Sequence, residues 1–269
     1  MNEANWSGTA DEIEDTSGNE NHGIAMGGAT TDTGGLLNRG GLFDGSNDWI
    51  DCGADASLNL TSAITVETWV KPQFAQEVCF PGGGNDGNVG IAAKVTSNTG
   101  STTWSWQLRY GSPDACCLGI QLNTVAYGAQ WATANGALTT GVWSHVAFTF
   151  DGTVIKFYVN GVLTDTNTLA GATTIESNLN KLLIYSDGWS ESTGYWKGVV
   201  DEFRVYNRAL TETELLGIRN HGDGTELLFG NYLTSASPSA SPSTAPSGAT
   251  LYRWTGLAWV KALLQVYIP

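Results

Sequence analysis

The stretch that decides the fold is Val199-Val200-Asp201-Glu202-Phe203-Arg204-Val205-Tyr206-Asn207-Arg208-Ala209-Leu210. Its first half alternates as a half-buried β-strand does, with one face made of Val199, Phe203 and Val205 and the other of Glu202, Arg204 and Tyr206. Asp201 interrupts the apolar face. Because an unpaired buried carboxylate is costly, we expect Asp201 either at a strand end or held by a cation.

A short helix is predicted directly after this strand. Thr211 and Glu214 have the spacing of a capping box, in which each residue bonds the backbone N–H of the other, and an apolar pair follows them. We expect the helix to end near Asn220 to Gly222.

Composition bounds the class of protein. The 269 residues leave room for one all-β domain of roughly 200–250 residues and an appendage. A net charge of −14 without basic clusters argues against a nucleic-acid partner and suits acidic loops that hold a hard cation. No apolar run approaches the roughly 20 residues of a membrane span, and the polar start, residues 1–5, shows no signal peptide.

Many short strands separated by turn signals predict an antiparallel two-sheet sandwich of the jelly-roll kind over residues 1–232. Residues 40–52 are interpreted as a strand, an Asp-Gly turn and a second strand, and Asn160-Gly161 is the strongest hairpin signal. The other predicted strands are Ile64–Val70, Ile91–Val95, Trp104–Tyr110, Leu118–Asn123, Ala126–Ala132, Trp143–Phe150, Val154–Val159, Lys181–Tyr185 and Val199–Tyr206.

The composition changes near the C-terminus. Residues 233–249 are rich in Ser, Pro and Ala and predict a linker, whereas residues 250–269 are apolar again and predict a hairpin that turns near Thr255-Gly256. Since a lone two-stranded ribbon is marginal in water, we expect this tail to dock on its own domain, on a sister subunit or on a larger assembly.

Four cysteines leave two interpretations open. A disulfide from Cys79 to Cys116 or Cys117 would close the Gly-rich residues 81–88, but reduced cysteines packed as small apolar side chains are an equal alternative. For Cys52 no partner is assigned.

Several loci in order resemble the laminin-G-like domains of the concanavalin A-like lectin/glucanase superfamily. They are Asp15–Gly23, Leu42-Phe43-Asp44-Gly45, Ile64–Val70 with its Lys71-Pro72 ending, Trp143–Gly152 with Tyr158–Gly161, and Val200–Leu210. The resemblance covers roughly residues 6–222 and implies two antiparallel sheets, one of them concave.

The resemblance also implies a structural calcium ion bound by Asp15, Asn21, the Gly45 carbonyl and Asp201. The acidic, turn-rich residues 10–23 fit this on chemical grounds, because calcium takes six to eight oxygen ligands. The alternative is that Asp15 and Asn21 cap turns while Asp201 accepts hydrogen bonds from backbone amides.

Three functions are weighed. The first is a recognition module that binds carbohydrate by aromatic stacking beside polar groups, for which the candidate ligand-binding residues are Asp187, Trp189, Tyr195 and Trp196. Loop packing is the alternative role of Trp189. Trp69 and Trp143 are assigned to the core.

The second function, a glycoside hydrolase, is not expected. Such enzymes need two carboxyl groups flanking the bond, whereas the central strands show no acidic pair and Glu12-Ile13-Glu14-Asp15 has the wrong spacing. His145 is interpreted as a half-buried strand residue. No catalytic residue is predicted.

The third function is assembly on a particle surface. A display fold without an export signal suits a phage virion protein, whose tail at residues 250–269 would form a homo-oligomer or a larger assembly. The sequence therefore predicts a displayed, non-enzymatic jelly roll, extracellular or on a virion surface, that binds a glycan or cell-surface polymer. A structural decoration or fibre protein without sugar binding is the alternative.

Overall fold

A computed structural model describes residues 5–73, 89–95, 104–112, 115–134, 138–186, 194–222, 251–254 and 259–262. The elements in chain order are β1 (Ile24–Met26), β2 (Thr30–Asp32), β3 (Gly40–Asp44), β4 (Trp49–Asp51), β5 (Ile64–Pro72), β6 (Val89–Val95), β7 (Trp104–Ser112), β8 (Ala115–Thr124), β9 (Gly128–Ala134), β10 (Ser144–Phe150), β11 (Val154–Val159), β12 (Val162–Thr168), β13 (Lys181–Ile184), β14 (Lys197–Tyr206), α1 (Glu212–Gly222), β15 (Leu251–Trp254) and β16 (Trp259–Ala262). A single 3-10 turn, Ala56–Leu58, follows β4.

Two seven-stranded antiparallel sheets form the sandwich. The sheet that we call the β7 sheet has the order β1-β4-β13-β6-β7-β8-β9, and the β5 sheet has the order β12-β11-β10-β5-β14-β3-β2. The predicted all-β, two-sheet architecture is confirmed.

The core lies between the sheets, as the strand period of two residues requires. One cross-strand row of the β7 sheet is buried in it throughout: Ala25, Ile50, Ile184, Ala92, Leu108, Ile120 and Ala132. On the β5 sheet, the row Val66, Phe148 and Phe157 is buried in the same core, as is Val146. Successive residues along these strands therefore alternate between the core and the outer faces.

The predicted helix forms and covers part of the outer face of the β5 sheet. The backbone N–H of Thr211 donates to Glu214 Oε2 at 2.8 Å, and the N–H of Glu214 donates to Thr211 Oγ1 at 3.3 Å. Leu210 and Leu215 then pack on Ala147 of β10. The capping box is confirmed, and the helix ends at Gly222, within the predicted range.

A β-bulge changes the predicted alternation of β14. The register shifts between Asp201 and Arg204, where Glu202 has a φ of 52°. Val200 therefore packs in the core with Phe203 and Val205, instead of Val199. Asp201 lies opposite Trp69 of β5, on the outer side. The prediction that Asp201 shares the apolar face was wrong because alternation cannot show an inserted residue.

The two predicted Asp-Gly and Asn-Gly turns differ in what they connect. Asn160 and Gly161, with φ of 53° and 74°, close the predicted hairpin between β11 and β12. The turn after Asp44 instead carries the chain from the β5 sheet to the β7 sheet, because β3 and β4 belong to different sheets. The sequence did not predict β1 or β2, and it predicted β12 only as the second arm of the Asn160-Gly161 hairpin.

The chain divides into two compact units, residues 1–227 and residues 228–269. In the second unit, β15 and β16 pair antiparallel, with Trp254 opposite Trp259. The predicted linker at 233–249 and the turn at Thr255-Gly256 lie outside the described residues. Among the described residues, no helix has the length and apolar character needed to cross a membrane.

Candidate functional site

A row of residues crosses the outer face of the β7 sheet, one position away from the core row. Consecutive cross-strand partners define this outer row, which runs through Asp51, Leu183, Ala93, Gln107 and Gln121. The backbone of Trp131 pairs with Gln121 and continues the row onto β9. Since neighbouring residues of a strand point to opposite faces, the outer row faces away from the core.

Two glutamines at the centre of the outer row are buried although they face away from the core. The exposed fraction is 0% for Gln107 and 6% for Gln121. Gln107 Oε1 accepts a hydrogen bond from Arg109 Nη2. Gln107 Nε2 and Gln121 Oε1 have no hydrogen-bond partner. A buried unsatisfied polar group costs about 1–3 kcal/mol, so this arrangement is a candidate site for a ligand that supplies the missing bonds.

Aromatic side chains lie at one end of this face. Trp104 packs there with Ala93 and Leu183, and Trp49 contacts the same cluster. The ring of Tyr195 stacks on Trp49 with a centroid distance of 6.1 Å. Apolar ring faces beside amide groups are the chemistry that binds sugars in proteins.

The outer face becomes more exposed towards β9. Arg109 is 8% exposed, its cross-strand partner Gly119 is half-buried, and the next partner, Thr133, is exposed. The two glutamines therefore lie at the buried end of a face that opens at the edge of the sheet.

The strands around the glutamines are free of acidic residues. β6, β7, β8 and β9 contain no Asp or Glu in a chain that has 26 of them, and their basic residues are Lys94 and Arg109. Lys94 lies in a different row, where its Nζ donates to the Asn180 carbonyl at 2.5 Å and burial lowers its pKa. Arg109 thus carries the positive charge beside the glutamines.

The sequence-predicted ligand residues divide between buried and undescribed positions. Tyr195 is 4% exposed, and Trp196, at 0%, packs 6.2 Å from Tyr185 in the core. Both rings are therefore buried, and their role in ligand binding stays a prediction. Asp187 and Trp189 lie outside the described residues. The Gly194 carbonyl accepts from the N–H of Gly90, the cross-strand partner of Arg109.

The first two predicted calcium ligands come together in a turn. Asp15 accepts hydrogen bonds from the N–H of Ser17 at 2.8 Å and from that of Asn21 at 2.9 Å. Burial opposes ionisation of Asp15, but these hydrogen bonds outweigh it and lower its pKa. The Asn21 amide donates to Ser57 Oγ at 3.0 Å. Asp15 therefore caps this turn, as the alternative interpretation holds, whereas the Asn21 side chain bonds Ser57 instead of capping a turn.

The other two predicted ligands lie far from each other. Lys197 pairs with Asp44, so Gly45 and Asp201 lie at opposite ends of the ladder between β3 and β14, about 16 Å apart at the usual rise per residue. Such a distance exceeds what one ion can bridge, since calcium binds oxygen at about 2.3–2.6 Å. The four residues therefore do not fit one calcium site, and within the described part of the chain no three acidic, His or Cys side chains form a metal cluster. Calcium binding itself stays a prediction.

Asp201 is held by the backbone. Its carboxylate accepts from the N–H groups of Leu37 at 3.0 Å and Glu202 at 2.9 Å. Burial raises its pKa to about 6, because desolvation disfavours the charged form. The partners of the Asp201 carboxylate in the structure are therefore two backbone N–H groups instead of the expected cation.

A buried charge cluster on the outer face of the β5 sheet was not predicted. Glu67 accepts from His145 Nε2 at 2.8 Å and from Arg204 Nη1 at 2.9 Å, and Arg204 also binds Glu202. The expected absence of an acidic pair from the central strands was therefore wrong. His145 is fully buried rather than half-buried. Since the carboxylates of Glu67 and Glu202 are both bound to Arg204, the cluster is an ion-pair network in which each carboxylate has a partner.

Of the cysteines, only Cys52 has a described side chain. It is a free thiol whose pKa burial raises to about 12, so it stays protonated. Cys79 and the side chains of Cys116 and Cys117 lie outside the described residues, so the predicted disulfide stays a prediction.

Sequence reasoning missed Gln107 and Gln121. The available signal was a strand, residues 104–110, in which polar Gln107 and Arg109 alternate with large apolar residues. That pattern predicts an outer face but cannot tell a solvated face from a buried one.

The two antiparallel sheets, the capped helix and the motif order define a lectin-like sandwich. The family model described as "Concanavalin A-like lectin/glucanases superfamily" matches residues 44–216. The chain belongs to this superfamily. No curated protein matches it.

Solved structures share the fold at low sequence identity. Domain 4 of AbnA, an extracellular arabinanase of Geobacillus stearothermophilus, in complex with arabinotriose, is 19% identical with a TM-score of 0.57, covering 79% of this chain and 95% of that chain. The CBM40 of the Ruminococcus gnavus IT-sialidase, bound to α2,3 sialyllactose, is 16% identical with a TM-score of 0.52, and the match covers 69% of this chain and 100% of that chain. The receptor-binding domain of the botulinum neurotoxin C/D mosaic serotype is 14% identical with a TM-score of 0.59, and the match covers 81% of this chain and 50% of that chain.

Proposed function

We propose that this chain is a non-catalytic carbohydrate-recognition module whose saccharide binds the outer row of the β7 sheet. The observation that carries the proposal is the pair of buried glutamines with an unpaired donor and an unpaired acceptor. Arg109 bonds Gln107, and Trp104 packs on Ala93, the cross-strand partner of Gln107. Lectin-type sites pair aromatic faces with a few polar groups in this way.

Membership of the lectin/glucanase superfamily supports this proposal, as do relatives whose structures hold arabinotriose or sialyllactose. The absence of Asp and Glu from β6–β9 supports a non-catalytic role, because glycoside hydrolysis needs two carboxyl groups beside the scissile bond. The sequence-predicted residues Asp187 and Trp189 remain proposed contacts, since Gly194, five residues after Trp189, bonds Gly90, the cross-strand partner of Arg109.

A glycan array with the full chain tests the proposal. We expect the wild-type chain to bind at least one class of saccharide and the double variant Gln107→Ala/Gln121→Ala to lose that binding. Gln130→Ala is the matched control, since the Gln130 amide already donates to the carbonyls of Tyr127 and Ala129. Silence of the wild-type chain, or an unchanged array profile of the double variant, would reject the proposed site.

Assembly is a second proposed role, for residues 250–269. The pairing of β15 with β16 supports it, because a two-stranded ribbon alone is marginally stable and needs a partner surface. Deletion of residues 234–269 should lower the molar mass measured by light scattering to that of a monomer. An unchanged number of chains per particle would reject this role. Display on a virion or outside a cell stays a prediction.

A further inference from the structure

We propose that the carboxylates of Asp44 and Asp48 bind a hard divalent cation at the turn that connects the two sheets. The turn lies between Asp44, the last residue of β3 in the β5 sheet, and Trp49, the first residue of β4 in the β7 sheet. A cation at this position would hold together the segment where the chain crosses from one sheet to the other. Its binding is independent of the saccharide site proposed above.

Asp48 has a carboxylate oxygen without a partner. The residue is 3% exposed, and its Oδ2 accepts from the backbone N–H of Asp44 at 2.8 Å. Oδ1 of the same carboxylate has no hydrogen-bond partner. A buried charged oxygen without a partner is costly, so this atom requires either a cation or a proton.

Asp44 brings a second carboxylate to the same place. Its Oδ1 accepts from the backbone N–H of Ser46 at 2.7 Å, which holds the side chain over the turn. Burial raises the pKa of Asp48, and the neighbouring charge of Asp44 raises it further, although the bond from the Asp44 N–H acts in the opposite direction. The two carboxylates therefore lie close enough to repel each other, and a cation between them removes this repulsion.

The unpaired oxygen lies next to backbone at the surface. Residues 44–47 are exposed, as are Gly27 and Gly28. A Cβ atom on Gly28 would lie 3.2 Å from Asp48 Oδ1, so this glycine keeps side-chain atoms away from the oxygen. The Asn47 amide donates to the Gly27 carbonyl at 3.1 Å and holds the two turns together. A partly hydrated cation can therefore approach both carboxylates from solvent.

No basic side chain neutralises this pair in the described part of the chain. Lys197 is the cross-strand partner of Asp44 and is exposed. None of the ion pairs among the described residues joins Lys197 to Asp44 or to Asp48. Hard divalent cations prefer carboxylate oxygens and complete their coordination with water, so two carboxylates at an exposed turn suit such an ion.

Thermal melts of the full chain in calcium, in magnesium and in EDTA test the proposal. With the cation at about 10 mM, above the roughly 0.1–1 mM dissociation constants of weak calcium modules, we expect the wild-type melting temperature to exceed that in EDTA by about 3 °C or more. The cation that gives the larger rise is the preferred one. Asp48→Asn and Asp44→Asn should each lose most of this rise, because each removes one of the two charged ligands.

Asparagine keeps one oxygen that can accept the backbone N–H bond at either position, so we expect both variants to retain the turn. The rise is compared within each variant, so a change in its basal stability does not affect the result. Either variant alone suffices if the other does not fold.

Asp151→Asn is the matched control, since Asp151-Gly152 is a second exposed Asp-Gly turn whose carboxylate accepts from the N–H groups of Thr153 and Val154. It removes the same charge and should keep the full cation-dependent rise. Asp15→Asn separates this site from the calcium site that the resemblance implies, and it should keep the rise as well.

Two results would overturn the proposal. Equal melting of the wild-type chain with cation and in EDTA would show that the two carboxyl groups share a proton instead. A rise that both Asp48→Asn and Asp44→Asn retain would show that the cation binds elsewhere on the chain.

Discussion

Nε2 of His145 lies 2.8 Å from Oε2 of Glu67, and both side chains are fully buried on the outer face of the β5 sheet. The other oxygen of Glu67 accepts from Arg204 at 2.9 Å, so the carboxylate is bound on both sides. The pair links β5 to β10 and β14, the central strands of that sheet. This cluster therefore belongs to the stability of the sandwich.

Glu67→Gln should lower the free energy of unfolding by about 1–3 kcal/mol, because it removes the charged acceptor to which Arg204 and the buried His145 ring are bonded. Urea denaturation of the variant measures this difference. Lys181→Ala is the control: its pair with Asp51 is 2.6 Å long but half-exposed at the lysine, and such pairs contribute less than about 1 kcal/mol. Equal effects of the two substitutions would show that the buried cluster has no special role.

Asp201 should make stability depend on pH. Its pKa is about 6 in the folded chain against 3.8 for the free side chain, so protonation favours the folded state. This contribution is fully present below pH 3.8 and is lost as the pH rises through about 6. Asp201→Asn, which stays neutral, should remove it, with a change on the order of 2–3 kcal/mol across that window.

Chemical denaturation of both proteins at several pH values measures this difference. Asp55→Asn is the control with the opposite sign, since hydrogen bonds from Ser57 lower the pKa of Asp55. The stability that Asp55 adds is therefore present at high pH and is lost as the pH falls. A wild-type chain and an Asp201→Asn variant with parallel pH profiles would contradict the account of Asp201.

The capping box should stabilise α1. Thr211→Ala removes the oxygen that accepts from the N–H of Glu214, and loss of such a cap costs about 1 kcal/mol. Thr211→Ser keeps the oxygen and should retain most of the stability. Thermal melts followed by circular dichroism compare the two, and an alanine variant as stable as the serine variant would reject this role for the cap.

Two tryptophans in the connection between β13 and β14 should respond differently to truncation to alanine. Trp196→Ala should lower stability by about 3–5 kcal/mol, because its ring is fully buried against Tyr185. Trp189→Ala should weaken saccharide binding with little change in melting temperature. Retention of full affinity by the Trp189 variant would remove that residue from the proposed contacts.

The fold could be predicted because its signals are local. Alternation along Ile64–Val70, the Asn160-Gly161 turn and the Thr211–Glu214 capping box each depend on neighbouring residues, and the structure contains all three. The bulge at Asp201–Arg204 escaped prediction, because one inserted residue leaves the composition of a strand unchanged.

The candidate site depends on contacts between strands that the sequence separates. Gln107 and Gln121 become partners only through the register of β7 with β8, and their burial only through packing. Motif resemblance placed Gly45 and Asp201 in one metal site, whereas register separates them along β3 and β14. The burial of Tyr195 and Trp196 escaped prediction because aromatic residues in a loop-like segment do not reveal which way their rings face.

Side-chain amide NMR of the full chain, labelled with 15N at glutamine, tests the central claim most directly. With the saccharide selected by the array at saturation, the account predicts that the side-chain NH2 signals of Gln107 and Gln121 shift while that of Gln130 stays. Unshifted Gln107 and Gln121 signals under saturating ligand would contradict the claim that the outer row of the β7 sheet holds the saccharide.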